Sequence, residues 1–345
     1  MTTRLRVTVA GAGVLGLTTA LALADAGCSV VVVDPGGPNA SSVAAGMIAP
    51  VLEAALDPVS RDNFDLLMAA RDLWPALAAR SGIVLDRTGA VAVGRDGWLE
   101  DVARRMAGLN ERPAEIGEAT IRGLAPGLSD AYERGLLTRE DWRVDAPGAL
   151  AALTAAAASA GVTFLPRTMR GRGEADVLVI ATGAAEGMTD VAPELSSLSP
   201  IKGHIVRVAA QADGAVIRTE GLYAVPGGGM IFGATMEPGR ADAAVDEARA
   251  GPLLAAGLKL FPGLAGAAYQ ISAGVRAATL DGLPLAGSSV APGVMLATGA
   301  RRNGWLLAPL VAQVVAAEVT GRDNGPFAAR LAPARMMAER FGGTG

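Results

Sequence analysis

Apolar positions along the chain fall into short β-branched runs and longer stretches with helical spacing. Residues 5–10 carry a short β-branched run, the pattern of a buried parallel strand. Small and apolar residues then continue to Gly27, a natural residue just past a helix C-terminus. Residues 30–33 predict a second buried strand, closed by Asp34. Residues 62–81 and 98–109 have apolar positions at helical spacing with their charges on one side. Residues 83–93 predict two short strands around Thr88-Gly89. Asp145 predicts the N-cap of a helix over 147–160, where Pro147 suits the first turn. Residues 162–165 and 177–181 read as buried strands, the second running into Thr182-Gly183. Residues 205–236 are strand-rich, with turns at Asp213-Gly214 and Gly227 to Gly229. A helix over 241–259, a strand over 269–275 and a last strand at 295–297 follow. The final long helix, 304–320, tolerates Pro309 near its start. Beyond Gly321 the tail is polar, then weakly helical.

The turn between the first strand and helix reads Gly11-Ala12-Gly13-Val14-Leu15-Gly16. Gly11 can adopt the backbone of a tight turn, Gly13 leaves room for a pyrophosphate, and Gly16 lets the helix lie close on the strand. The helix N-terminus, with Val14 in its first turn, offers free N–H groups to phosphate. Asp34, 23 residues after Gly11, can accept from ribose hydroxyls. Strand, helix, second strand and acid together predict a dinucleotide site. The acid disfavours NADP and leaves NAD and FAD open. The uncharged run 7–24 behind Arg4 and Arg6 also has the look of a secretory leader or a short membrane span, but the glycines inside it fit the turn better.

A chain of 345 residues has room for two domains or one with a large insertion. Hydrophobic residues make up 51% and aromatics only 4%, so the core is mostly Ala, Val and Leu. A net charge of −4 without a basic stripe argues against nucleic acid. Cys28 and His204 are the sole cysteine and histidine. One thiol makes no internal disulfide, which fits a reducing, cytoplasmic setting. Zinc bound by Cys and His is excluded by number, and no metal is expected. Any nucleophile–histidine pair would need His204, so the reactive atoms of an enzyme built on this chain are expected to come from a cofactor.

The alternation of elements predicts an α/β chain: a Rossmann-like nucleotide-binding domain assembled from discontinuous segments, with an inserted antiparallel-sheet α+β domain. The stretch NASSVAAGMIAP, residues 39–50, is rich in small residues. There Ala45, Gly46 and Met47 let the backbone run close to a flat ring, and Ser41 and Ser42 can donate to phosphate or ring acceptors. A serine-capped helix start explains the same residues nearly as well.

With this segment the chain resembles the D-amino-acid-oxidase superfamily of FAD enzymes, in its glycine oxidase (ThiO-like) branch. DWRVDAPGAL (141–150), ADVLVIATGA (175–184), SPIKGHIVRV (199–208), LYAVPGGGMIFGATM (222–236), GVRAATLDGLPLAG (274–287) and ATGARRNGWLLAPL (297–310) extend the likeness in order to the C-terminus. The resemblance implies FAD, held by 1–80, 140–200 and 272–345, and a substrate-binding domain from 81–139 and 201–271; the places of Cys28 and His204 in the chain predict that the FAD is non-covalent. Thr182 and Gly183 would join the cofactor contacts. Residues 162–181 are too short for the β-meander that such flavoproteins often carry, which leaves the adenine side open.

Amino-acid oxidation by hydride transfer to the flavin requires a held carboxylate and a neutral amine; a guanidinium fixes a carboxylate best, through two parallel N–H bonds. The resemblance assigns that role to Arg276, shared with the hydroxyl of Tyr223, and places Met236 on the pocket wall. Arg302-Asn303-Gly304 matches the family's Arg-Asn-Gly, ahead of Trp305. The helix starting there would aim its N-terminus at the flavin. Where the branch commonly has His then Tyr, this chain has Ala300 and Arg301, so a roomier or more cationic pocket is expected, for a bulkier, acidic or N-substituted amino acid. The implied function is an oxidase that converts a small amino acid, glycine-like, D- or N-substituted, to its imine, with molecular oxygen as acceptor and hydrogen peroxide as product. A dehydrogenase using a quinone or protein acceptor is the alternative. The imine hydrolyses or enters thiamine thiazole synthesis. A homo-oligomer is compatible with the sequence.

Overall fold

The computed structural model describes residues 4–185 and 187–336. Its fold is mixed α/β, built on two large sheets. The first has six strands, in the order Leu285–Ser288, Val294–Thr298, Val177–Ile180, Arg6–Ala10, Ser29–Val33, Thr163–Leu165. All neighbours run parallel except the first pair. Parallel strands need crossovers that cover both faces, which is why Val7, Val9, Val30, Val32 and Val179 are all fully buried. Helix Val14–Asp25 links the first two strands, so the uncharged run at 7–24 is a strand, a turn and a helix. Among the described residues no helix is long and apolar enough to cross a membrane. Chain order reverses between Arg6–Ala10 and Val177–Ile180, the switch point where ligand crevices of such sheets lie.

The second sheet has nine strands. Tyr269–Ala278 pairs along the whole of Ser199–Val208, whose other edge carries Met230–Gly233 and then Glu237–Pro238. Leu222–Pro226, Val216–Thr219, Ala90–Val93, Arg134–Thr138 and Ala114–Gly117 follow outward. Pairing is antiparallel except between Val216–Thr219 and Ala90–Val93. Helix Glu247–Leu260 covers one face, where Gly257 leaves space for the ring of Phe232. Met47–Ile48 and Trp142–Arg143 form a separate two-stranded ladder.

Several elements differ from expectation for local reasons. The helix expected over 62–81 is two helices, Phe64–Asp72 and Trp74–Ser81, because Pro75 has no N–H to continue the first. Of two strands expected over 83–93 only Ala90–Val93 forms; the first half is a single bridge from Asp86 to Arg143, and the Asp86 side chain folds back on the Thr88 N–H at 2.8 Å. The helix expected from 241 starts at Glu247, capped by Asp246 onto the Arg249 N–H. The long C-terminal helix is Gly304–Val319 and packs along Val14–Asp25. Its Pro309 cannot donate to the Trp305 carbonyl. The indole N–H of Trp74 does so instead, at 3.1 Å. In the tail a short helix forms at Ala328–Leu331; residues 337–345 lie outside those described.

Candidate active site

At the switch point Gly11 has φ +109°, and a Cβ there would overlap the Ala181 carbonyl. A Cβ on Gly16 would overlap the Gly11 carbonyl, while one on Gly13 would meet only the Ser41 hydroxyl. These glycines make a backbone cradle at the mouth of the helix, as a pyrophosphate requires. Val14 N–H donates to Ser41 Oγ at 3.0 Å. The N–H groups of Gly13 and Leu15 meet no acceptor among the described residues, and a phosphate would supply one. Asp34 braces the turn, accepting from Ala12 N–H and Gly36 N–H, each at 2.7 Å. Ser42 departs from its expected place: its hydroxyl is committed to a capping box with Asn39. Thr182 and Gly183 follow strand Val177–Ile180. Gly183 lines a separate cavity of about 410 Å³.

A larger cavity, about 530 Å³, opens beside the second sheet. Ala45, Gly46 and Met47 line it from one side, Arg302, Asn303 and Trp305 from another. Strand pleating explains the floor. The pairings 274↔203, 205↔233, 233↔223 and 223↔218 put Gly203, Ile205, Arg218, Tyr223, Gly233, Gly274 and Arg276 on one face. Two glycines make that floor usable, since the Arg276 guanidinium lies over Gly203 and the Tyr223 ring over Gly233. A side chain at either would displace the group above it.

Among the described residues the Arg276 guanidinium makes one hydrogen bond, from Nη1 to Met236 Sδ at 3.5 Å, and no carboxylate pairs with it. Burial lowers its pKa, against an opposing pull from Tyr223. An arginine stays charged even so. Burial raises the Tyr223 phenol, so it remains a neutral donor. Met236, 40% exposed, stands at the mouth.

The adjacent arginines separate. Arg302 stays at the cavity, its Nε 2.6 Å from Glu53 Oε1. Arg301, at φ +50°, turns away and pairs with Asp57 at 2.7 Å. Glu53 and Asp57 are one turn apart on and just after helix Pro50–Leu56, so the two arginines clamp that helix. Burial pushes the Asp57 carboxyl up, but hydrogen bonds from Arg301 and Ser60 outweigh it and hold it below the usual range. The cationic pocket expected from Arg301 is therefore corrected. Asn303 reaches Ser60 Oγ at 3.4 Å, Gly304 begins the helix close to Val14, and the Trp305 indole donates to the Ser41 carbonyl at 3.1 Å.

Sequence reasoning missed three charged groups here. Arg218 reaches Glu53 at 3.5 Å, and both side chains are about 95% buried, with exposures of 5% and 6%. Fully buried Asp141 accepts from Val51 N–H at 2.8 Å and Leu52 N–H at 3.0 Å, capping the helix that carries Glu53. Burial pushes its carboxyl up to about 6. One signal was available: Glu53 is the only charged residue between Asp34 and Asp57. His204 lies on the opposite sheet face. Its Nδ1 contacts Glu237 at 2.9 Å and its Nε2 accepts from Asp246 N–H at 3.0 Å. Cys28 is buried at the end of the first helix, with its thiol pKa raised by burial.

Residues 6–318 match the family described as FAD dependent oxidoreductase. Glycine oxidase from Geobacillus kaustophilus (strain HTA426) is 31% identical, over 95% of this chain and 97% of its own. The crystal structure of glycine oxidase from Geobacillus kaustophilus superposes with a TM-score of 0.80 at 27% identity, covering 96% of this chain and 99% of that one. Iminodiacetate oxidase from Chelativorans sp. BNC1 shares the fold, with a TM-score of 0.83 at 23% identity over 95% of this chain and 99% of that chain.

Proposed function

Since this chain belongs to the FAD-dependent oxidoreductase family, we propose that it oxidises a small amino acid, glycine-like, D- or N-substituted, to its imine, with oxygen as final acceptor and hydrogen peroxide as product. Bound FAD, held non-covalently, supplies the two-electron acceptor for the hydride leaving the substrate Cα. One observation carries the reading: a charged, carboxylate-free Arg276 shares a cavity with the small-residue segment Ala45–Met47 and with Arg302.

Arg276 receives the substrate carboxylate through parallel N–H donors, and Tyr223 adds a neutral O–H. Arg302, tethered through Nε, keeps its Nη edge for the same ligand. Met236 limits the pocket at its mouth. Holding the carboxylate fixes where Cα stands, which is the positioning the transfer needs. The FAD-binding part is assigned to 1–80, 140–200 and 272–345, the substrate-binding part to 81–139 and 201–271. The imine then hydrolyses or feeds thiazole synthesis.

The test is an absorbance spectrum of the purified protein, then anaerobic addition of glycine, sarcosine, D-alanine and D-aspartate. Bleaching of a flavin band by an amino acid supports the reading; a colourless protein, or a yellow one that no amino acid bleaches, ends it. Oxygen uptake with peroxide release separates an oxidase from a dehydrogenase that uses a quinone or protein acceptor.

A further inference from the structure

The charges lining the cavity are only partly answered from within the protein. Arg276 has no carboxylate partner among the described residues. Arg302 and Arg218 share one acid, Glu53, at 2.6 Å and 3.5 Å. Asp141 sits behind that acid, its oxygens on the N–H groups of Val51 and Leu52, within electrostatic reach of Arg218. The acids on the rim are engaged elsewhere: Asp101 with Arg104 at 2.8 Å and Glu220 with Arg95 at 2.9 Å. Exposed Arg105 leans on the Ala55 carbonyl, and Arg301 is matched by Asp57. Leaving exposed Arg105 on the rim aside, Arg218, Arg276 and Arg302 set against Glu53 and, behind it, Asp141 leave one positive charge unanswered in the inner part of the cavity.

We propose that Glu53 sets the charge selectivity of this cavity, cancelling one guanidinium so that a ligand with one carboxylate is matched and a ligand with two is not. The inference rests on the reading above, that Arg276 and Arg302 receive a substrate carboxylate. Glu53 comes from the nucleotide side of the molecule, on helix Pro50–Leu56, while Arg218 comes from the second sheet and Arg302 from the loop before the last long helix. Its hold on both is mainly electrostatic. Oε1 lies close to Arg302 Nε without an aligned N–H, and the Arg218 contact is long. Replacing the carboxylate by an amide therefore removes charge while removing little hydrogen bonding. Beside the buried Glu53–Arg218 pair, an unanswered cation attracts an anion more than it would at the open surface.

The test uses flavin-loaded wild type and the variants Glu53→Gln and Glu53→Asp. Acetate and malonate, which have no amine to oxidise, are titrated against the flavin absorbance, and kcat and KM are measured with glycine and D-aspartate. Wild type and Glu53→Asp should bind acetate at least as tightly as malonate. Glu53→Gln should tighten malonate about tenfold relative to acetate and lower the D-aspartate KM relative to glycine by a similar factor. A purely structural Glu53 predicts the opposite: both carboxylates weaken together and their ratio holds. That outcome overturns the proposal, as does wild type preferring malonate tenfold, a result that needs no variant. Amino acids that bleach the flavin while the ratio stays fixed sink this inference alone. If no amino acid bleaches and neither carboxylate perturbs the spectrum, both readings fail.

Discussion

Arg276 is available for an anion because its surroundings supply space but no carboxylate. Gly203 provides the space, since any Cβ there would overlap the guanidinium. Gly203→Ala is therefore expected to displace Arg276 and raise the amino-acid KM about tenfold or more, although the substitution touches no charge. Arg276→Lys keeps the cation and loses the paired donors; kcat/KM should fall at least tenfold, about 1.5–3 kcal/mol. Steady-state kinetics with a carboxylate titration checks both, and unchanged binding in either variant would remove Arg276 from the site. That Arg276, Tyr223, Met236 and Arg302 would meet at one cavity was legible because each lies in a motif that carries the family resemblance. Glu53 was not, because its partner Arg218 lies 165 residues further on and charge pairing at that range leaves no periodic trace.

The last long helix shows how one element borrows from another. Pro309 leaves the Trp305 carbonyl without its helical donor, and Trp74 supplies one from the start of a different helix. Trp74→Phe should cost about 1–3 kcal/mol in urea denaturation. In a Pro309→Ala background the helix can make its own bond, so the penalty should shrink by about 1 kcal/mol. An identical penalty in both backgrounds would show that the indole acts by packing alone. Arg207 is a similar device in the second sheet, where one nitrogen donates to the Ser42, Val43 and Ala44 carbonyls at 3.3, 2.8 and 3.4 Å. It fixes the segment that leads into Ala45–Met47. Arg207→Ala is expected to weaken FAD retention several-fold, read by titrating apoprotein with FAD. Pro75 and Pro309 were equally visible in the sequence, yet Pro75 falls at the start of a new helix while Pro309 lies inside one, where an outside donor meets the carbonyl it leaves free.

At the scale of the whole molecule, charge is buried where helix Pro50–Leu56 meets the second sheet, and that has a consequence for pH. Asp141 titrates near 3.8 when unfolded and at about 6 when folded. The native state therefore binds its proton more tightly between those values, and this group's contribution to stability falls as pH rises from about 4 to 6. Asp141→Asn should remove that component. Relative to the variant, wild type is expected to lose stability across that interval and to change little above pH 7. Denaturation midpoints at pH 4.5, 6 and 7.5 measure it, and a difference independent of pH would place the Asp141 carboxyl in the ordinary range.

Some of this architecture is set by neighbours in the chain. Gly11, Gly13 and Gly16 dictate a strand, a tight turn and a close-packed helix, because backbone freedom and the lack of a Cβ are properties of the residue itself. Periodicity likewise announced the strands that became the cavity floor. Tertiary structure alone decided which charges are free. Arg301 and Arg302 are adjacent and chemically identical, yet one is spent on Asp57 and the other stays at the cavity with Glu53. A charge acts through distance and burial, and both are fixed only when segments far apart in the sequence close around it.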